Sequence, residues 1–248
     1  IVVPMMNHPA FCAGTRSAPA DGDRGNMNRV FPGRADGTPT EKMADYFTRH
    51  LLPLAQFVLD VHSGGKTLRF VPFASAYALD DAAQQARHEA AAAAFAAPYS
   101  VMRWDLSGAT GMYDEVAVAQ GKVFVTTELG GGGTTSADTC EIARRGIDNF
   151  LIHAGILRRA PTPRRSVRLE MRADGFVVAP RAGLLELLAD PGDPVRAGQD
   201  LARIYAVERS AEPPTVLDAP IGGILLGRHH FGLVRPGDMV AAIARETD

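Results

Sequence analysis

Lysine is nearly absent from this chain: Lys42, Lys66 and Lys122 are the only three in 248 residues, and the other basic side chains are arginines. The second half therefore has no lysine on which to carry a covalently attached group. Charge of one sign is missing as well. A net charge of −2 leaves no polybasic field for nucleic acid or an anionic membrane surface. The two cysteines, Cys12 and Cys140, form neither a disulfide framework nor a metal-ligand spacing, so a reducing cytoplasm is the expected setting. No apolar run approaches the roughly 20 residues that span a bilayer, and no stretch reads as a signal peptide. None of the seven histidines sits in a His-x-x-Glu or His-x-x-x-His pattern. No local motif thus completes a zinc site, which takes three protein ligands and an open position. An initiator methionine is lacking too. The opening Ile1-Val2-Val3-Pro4 reads as a buried interior strand, which leads to the expectation of further residues before it.

What is present describes an ordinary globular protein, 46% hydrophobic and 22% charged, long enough for one large domain or two smaller ones. The segment from Pro4 to about Thr40 is rich in Gly, Pro, Asp and Asn. Its Met5, Phe11, Met27, Val30 and Phe31 argue that it is packed against something. Thr40 reads as the N-cap of a helix to about Ala55. A strand over 57–62 follows, then a helix over 80–97, a strand over 99–104 and a short helix over 112–119. A strand over 123–129 and a helix over 137–154, capped by Ser136, complete the alternation. Such an order indicates an α/β domain around a largely parallel sheet flanked by helices. The stretch 158–165, with two prolines and four arginines, reads as a linker, dividing the chain into 1–160 and 166–248.

Beyond the linker the chain repeats itself. Ala179-Pro180-x-x-Gly183-Leu184-Leu185 recurs as Ala219-Pro220-x-x-Gly223-Ile224-Leu225, and Val195-Arg196-x-Gly198 recurs as Val234-Arg235-x-Gly237. Two such copies suggest an all-β unit in which each half covers the other. It resembles the barrel-sandwich fold of lipoyl and biotinyl carriers, with Gly192, Val195, Gly198, Gln199 and Leu201 supplying their glycine-rich pattern. The absent lysine rules out the carrier function and leaves the fold. His229-His230, beside Gly227 and Phe231, reads as part of a solvated turn.

Chemistry concentrates at two strand ends. In the strand Phe57-Val58-Leu59-Asp60-Val61-His62, Asp60 and His62 share a face. The strand then stops at Ser63-Gly64-Gly65, and open α/β sheets place chemistry at such ends. A structural histidine bonded to an aspartate is the plainer alternative. Glu128 ends a second apolar strand before four glycines, suited to take and return a proton or simply to cap a glycine turn. Asn28 and Arg29, adjacent in the packed loop, suit capture of a carboxylate by a planar fork and a neutral donor. Pairing of Arg29 with Asp21 or Asp23 competes with that reading. Arg16, in the same loop, is a candidate oxyanion donor.

Together Asn26-Met27-Asn28-Arg29-Val30-Phe31-Pro32-Gly33, Asp60-Val61-His62-Ser63-Gly64-Gly65 and Thr127-Glu128-Leu129-Gly130-Gly131 resemble the succinylglutamate desuccinylase/aspartoacylase family. These are zinc amidohydrolases with the fold of zinc carboxypeptidases. Gly14-Thr15-Arg16 and the four glycines ending at Gly133 look most like its N-acetyl-diaminobutyrate deacetylases of ectoine breakdown. The resemblance covers essentially the whole chain. It implies a zinc ion with His62 as its last ligand and Glu128 as general base. It further implies Asp60 supporting His62, Asn28 and Arg29 on the substrate carboxylate, and Arg16 on the scissile carbonyl. The family's first two ligands, a His-x-x-Glu pair, are expected upstream of Ile1. The substrate implied is an N-acyl amino acid such as N-acetyl-2,4-diaminobutyrate. A succinylglutamate- or aspartate-type acylase and a metallocarboxypeptidase are the rival enzymes. A metal-free homologue that only binds a small carboxylate, and an assembly module giving a homo-oligomer through the β-unit, are the non-enzymatic rivals.

Overall fold

A computed structural model describes residues 1–22, 26–104, 110–208 and 211–247. In chain order the helices are α1 (His8–Ala13), α2 (Pro39–Tyr46), α3 (Ala82–Phe95), α4 (Tyr113–Ala119) and α5 (Ala137–His153). The first strands are β1 (Phe57–His62), β2 (Leu68–Phe70), β3 (Phe73–Tyr77), β4 (Tyr99–Arg103) and β5 (Val123–Glu128). Then come β6 (Val167–Met171), β7 (Phe176–Val178), β8 (Gly183–Leu187), β9 (Pro194–Val195) and β10 (Asp200–Tyr205). The last are β11 (Thr215–Asp218), β12 (Gly223–His229), β13 (Leu233–Val234) and β14 (Met239–Glu246). Contacts divide the chain into two compact units, residues 1–58 with 107–124 and residues 59–106 with 125–248.

The first unit has its own core, in which Met27, Phe31, Leu52, Tyr113 and Phe124 are buried together. Phe31 stacks on Tyr113 with ring centroids 4.8 Å apart. Part of the long loop is thus packed, through Met27, Val30 and Phe31, whereas Met5 and Phe11, which were expected to pack with them, are 39% and 67% exposed. Two more expectations fail here. Ile1, Val2 and Val3 form no strand and are exposed, because no described strand pairs with them. The cap of α2 is Thr38, not Thr40: Thr38 Oγ1 accepts from the Glu41 N–H, and Glu41 accepts from the Thr38 N–H at 2.7 Å. Thr40 is instead buried, hydrogen-bonded to Asp21 and accepting from Asn7 at 2.9 Å. Nor does the helix run on regularly to Ala55. It widens into a π turn over Phe47–Leu51 and tightens into a 3-10 turn over Leu52–Leu54, where Pro53 has no N–H to continue the ladder.

The second unit carries a large mixed sheet in the order β1-β5-β3-β4-β6-β14-β12-β2, with β7 on β14 and β9 on β12. β3, β4 and β6 run parallel, while β5 is antiparallel to β3. β5 is buried continuously over Val123–Val125 and becomes half-buried at Thr126 and Glu128, where it pairs with β3. α3 and α5 pack closely: a Cβ on Gly146 would fall 2.3 Å from the Phe95 ring. That small residue sets the approach of the two helices.

The repeat is interlocked as its two copies suggest. β9 of the first copy pairs with β12 of the second, Val195 opposite Gly223, and β13 of the second pairs with β8 of the first, Val234 opposite Gly183. Gly198 donates to Ala219 O and Gly237 donates to Ala179 O, the same bond made twice. Each half thereby supplies a strand the other lacks. The repeat region also extends the α/β sheet, through β6 beside β4 and β12 beside β2. His229 departs from expectation: it is 3% exposed inside β12, with Nδ1 3.1 Å from Met239 O, because the strand runs two residues past Gly227. Only His230 is exposed.

Candidate active site

Two strands and the glycine turns that end them build the site in the second unit. Along β1 the two-residue period places Asp60 and His62 on one face, and His62 Nε2 lies 2.8 Å from Asp60 Oδ2. The His62 N–H donates to the Thr127 hydroxyl at 3.3 Å, and the Leu129 N–H donates to His62 O at 2.9 Å. Those bonds bring the end of β1, with His62, alongside the end of β5, with Glu128. Burial disfavours a charged His62 ring, but the Asp60 charge and hydrogen bond outweigh it, with the Glu128 charge adding and the Arg103 charge opposing. The imidazole pKa is pushed up to about 9. Arg103 was not singled out from the sequence. It lies in β4 with its guanidinium 3.9 Å from the Tyr77 ring centroid, and no local motif connects it to His62.

The glycines after each strand do more than stop it. Gly64 N–H donates to Gly130 O, Gly132 N–H to Leu68 O and Gly133 N–H to Gly65 O, at 3.1, 2.9 and 2.7 Å. The turn after His62 and the turn after Glu128 are therefore laced backbone to backbone. All four of Gly130, Gly131, Gly132 and Gly133 have positive φ, which L side chains adopt only with strain. The His230 ring lies against Gly132, where an added Cβ would come within 2.8 Å of it, and the His230 N–H donates to Thr67 O. The far β-repeat thus reaches the site turns, a contact with no local sequence signal.

Asn28, Arg29 and Arg16 belong to the first unit. Asn28 Oδ1 accepts from the Tyr113 N–H at 2.8 Å, so its amide NH2 is the side chain's remaining donor group. Arg29 is exposed, and its Nη1 donates to Asn28 O at 2.5 Å. Asp21, the competing partner, is committed to Thr40; Asp23 lies outside the described residues. Arg16 is exposed, and its carbonyl accepts from the Met27 N–H at 2.8 Å.

No group of three His, Cys, Asp or Glu side chains able to hold a metal forms among the described residues. What is present fits one metal ligand. A carboxylate on one ring nitrogen fixes the tautomer and turns the other nitrogen outward, the usual support for a metal-binding histidine. The coupling can be measured. In metal-free protein the His62 ring should titrate near pH 9 by NMR, and Asp60→Asn should bring it down toward 6.5 or below. The sign follows from the raised value. The charged ring adds stability fully below pH 6.5, and that contribution fades as the pH rises through 9. An unmoved titration in Asp60→Asn would remove the pairing.

Comparison with known proteins gives the geometry a context. Residues 1–154 match the succinylglutamate desuccinylase/aspartoacylase catalytic domain. The chain is 48% identical to the N-alpha-acetyl-L-2,4-diaminobutyric acid deacetylase of Halomonas elongata, over 98% of this chain and 71% of that protein. It superimposes on the product-bound ectoine utilization protein EutE (DoeB) of Ruegeria pomeroyi with a TM-score of 0.93 at 50% identity, covering 98% of this chain and 74% of that one. A succinylglutamate desuccinylase of Silicibacter sp. TM1040 gives 0.92 at 46% identity, covering 99% and 74%.

Proposed function

The chain belongs to the succinylglutamate desuccinylase/aspartoacylase family, and on that premise we propose that it hydrolyses the acetyl amide of N-acetyl-2,4-diaminobutyrate with the help of a zinc ion. It is a hydrolytic deacylase of acyl amino acids. The observation that carries the finer reading is the junction of β1 and β5, where the Asp60-braced ring of His62 and the carboxylate of Glu128 share one electrostatic neighbourhood.

In this reading His62 is a zinc ligand through the nitrogen that Asp60 leaves open. Bound zinc would supply Lewis acidity toward a carbonyl and a water acidic enough to react at neutral pH. Glu128 accepts the proton of the attacking water and returns it to the departing nitrogen, so that neither free hydroxide as nucleophile nor an expelled amide anion is needed. Asn28 contributes its amide donor and Arg29 its planar fork to the substrate carboxylate. Arg16 is assigned to the carbonyl oxygen, where negative charge develops. Residues 1–160 would form the hydrolase part and 166–248 the β part, in a cytoplasmic protein.

A substrate panel tests the assignment. N-acetyl-2,4-diaminobutyrate should be turned over with a kcat/KM about a hundredfold above N-acetylaspartate and N-succinylglutamate. A site that pairs a substrate amine discriminates by that much or more against analogues that leave its polar groups unmatched. Preference for N-succinylglutamate would move the assignment to the desuccinylases, and cleavage of short peptides to the carboxypeptidases.

A further inference from the structure

We propose that the hollow between α5 and the segment after it is a binding site for a small organic monocarboxylate, received by the guanidinium of Arg145. The hollow measures about 330 Å³, at the small end of ligand-sized cavities. Arg144, Arg145 and Arg159 line it against Glu141 and Asp148, which leaves one positive charge in excess.

Most of the wall is already committed to itself. The Asn149 side chain donates to Thr162 O and accepts from the Thr162 N–H, both at 2.8 Å, and Arg159 pairs with Asp148. Arg144 is exposed; Arg145, mostly buried, is the exception. Its side chain is only 14% exposed, and among the described residues its one ionic partner is Glu141, 3.7 Å from Nη1. Nε and Nη2 are buried, and among the described residues neither has a hydrogen-bond acceptor. Those two N–H groups project side by side from one edge of the guanidinium, the edge that grips both oxygens of a carboxylate at once.

Donors shut off from water and from acceptors are an unfavourable state for a charged group. Arg145 lines the hollow, and in the proposed complex its last torsions turn the fork into that space to meet the guest. The charge of the lining selects the guest. One excess positive charge matches a monoanion, whereas a phosphate dianion would meet Glu141 and Asp148 with a surplus of negative charge.

The test reads Arg145 itself, so its result is independent of the deacylase assignment. In arginine side-chain 15Nε–1H spectra, the Arg145 signal is identified by its absence from Arg145→Lys. Propionate, added at constant ionic strength with chloride as the balancing ion, should shift that signal saturably, and inorganic phosphate should do so more weakly. The Asn149 side-chain amide, on the same wall, should report the same midpoint. In Arg145→Lys that midpoint should rise about tenfold, since an ammonium cannot make the paired bonds. A signal unmoved by propionate, or one that responds more tightly to phosphate, overturns the proposal. Arg145→Met supplies a second measurement. With the unmet charge removed, the ligand-free melting temperature should rise; a fall would show that Arg145 serves the fold alone, which also overturns it.

Discussion

Glu128→Gln should lower kcat by about a thousandfold while metal content stays at the wild-type level, because a positioned general base contributes roughly 10²–10⁴ and Gln keeps the size without the proton affinity. The substitution is close to isosteric at a half-buried strand end, so the bonds that lace the neighbouring turns remain available. Its effect on His62 has a definite sign. The Glu128 charge favours the protonated ring of His62, so removing it lowers the His62 pKa and leaves the imidazole freer for a cation. The same charge also attracts a divalent cation, so the two effects oppose each other and metal content in the variant should stay close to wild type. Paired measurements of turnover and bound zinc by atomic emission separate the roles. If zinc leaves together with activity, Glu128 is a ligand. If activity survives, the proton is handled elsewhere.

The strand ends at His62 and Glu128 were legible because each closes an apolar run at a glycine cluster, a local signal that needs no knowledge of the rest of the chain. The helix over 137–153 was legible for the same reason, with Ser136 at its cap. That the two copies cover each other was legible from the repeat, but not that the covering is done by exchange of the short strands β9 and β13. What escaped were partners far apart in sequence. Thr40 has the residue type of a cap, but Asp21 claims it from nineteen positions away. His229 sits beside Gly227 and so reads as a turn, yet β12 continues through it and buries it. The period of a strand reports which face is covered, not by what. For that reason the Asp60–His62 pair, two residues apart, could be anticipated, while Arg103 and the His230 contact with Gly132 could not.

Gly131→Ala should be strongly damaging, lowering stability by about 3 kcal/mol and kcat by about a hundredfold. The residue has φ of +139°, a region only glycine occupies without strain. An added Cβ would lie 2.1 Å from Leu68 O and 3.0 Å from Gly64 Cα, both backbone atoms, so no side chain can swing aside to make room. Relief requires the turn after Glu128 to part from the turn after His62, which breaks the bonds from Gly132 to Leu68 O and from Gly133 to Gly65 O. A displacement of about 1 Å between the acid and the ring is enough to cost two orders of magnitude in rate. Gly198→Ala is the control. It too has positive φ, +78°, but nothing lies within 4 Å of its would-be Cβ, so it should lose only about 1 kcal/mol from backbone strain and no activity. Urea unfolding and kcat on the two variants decide the matter. Equal losses in both would mean that the turns are held by their own conformations, and that the closeness of His62 to Glu128 does not depend on the backbone bonds between them.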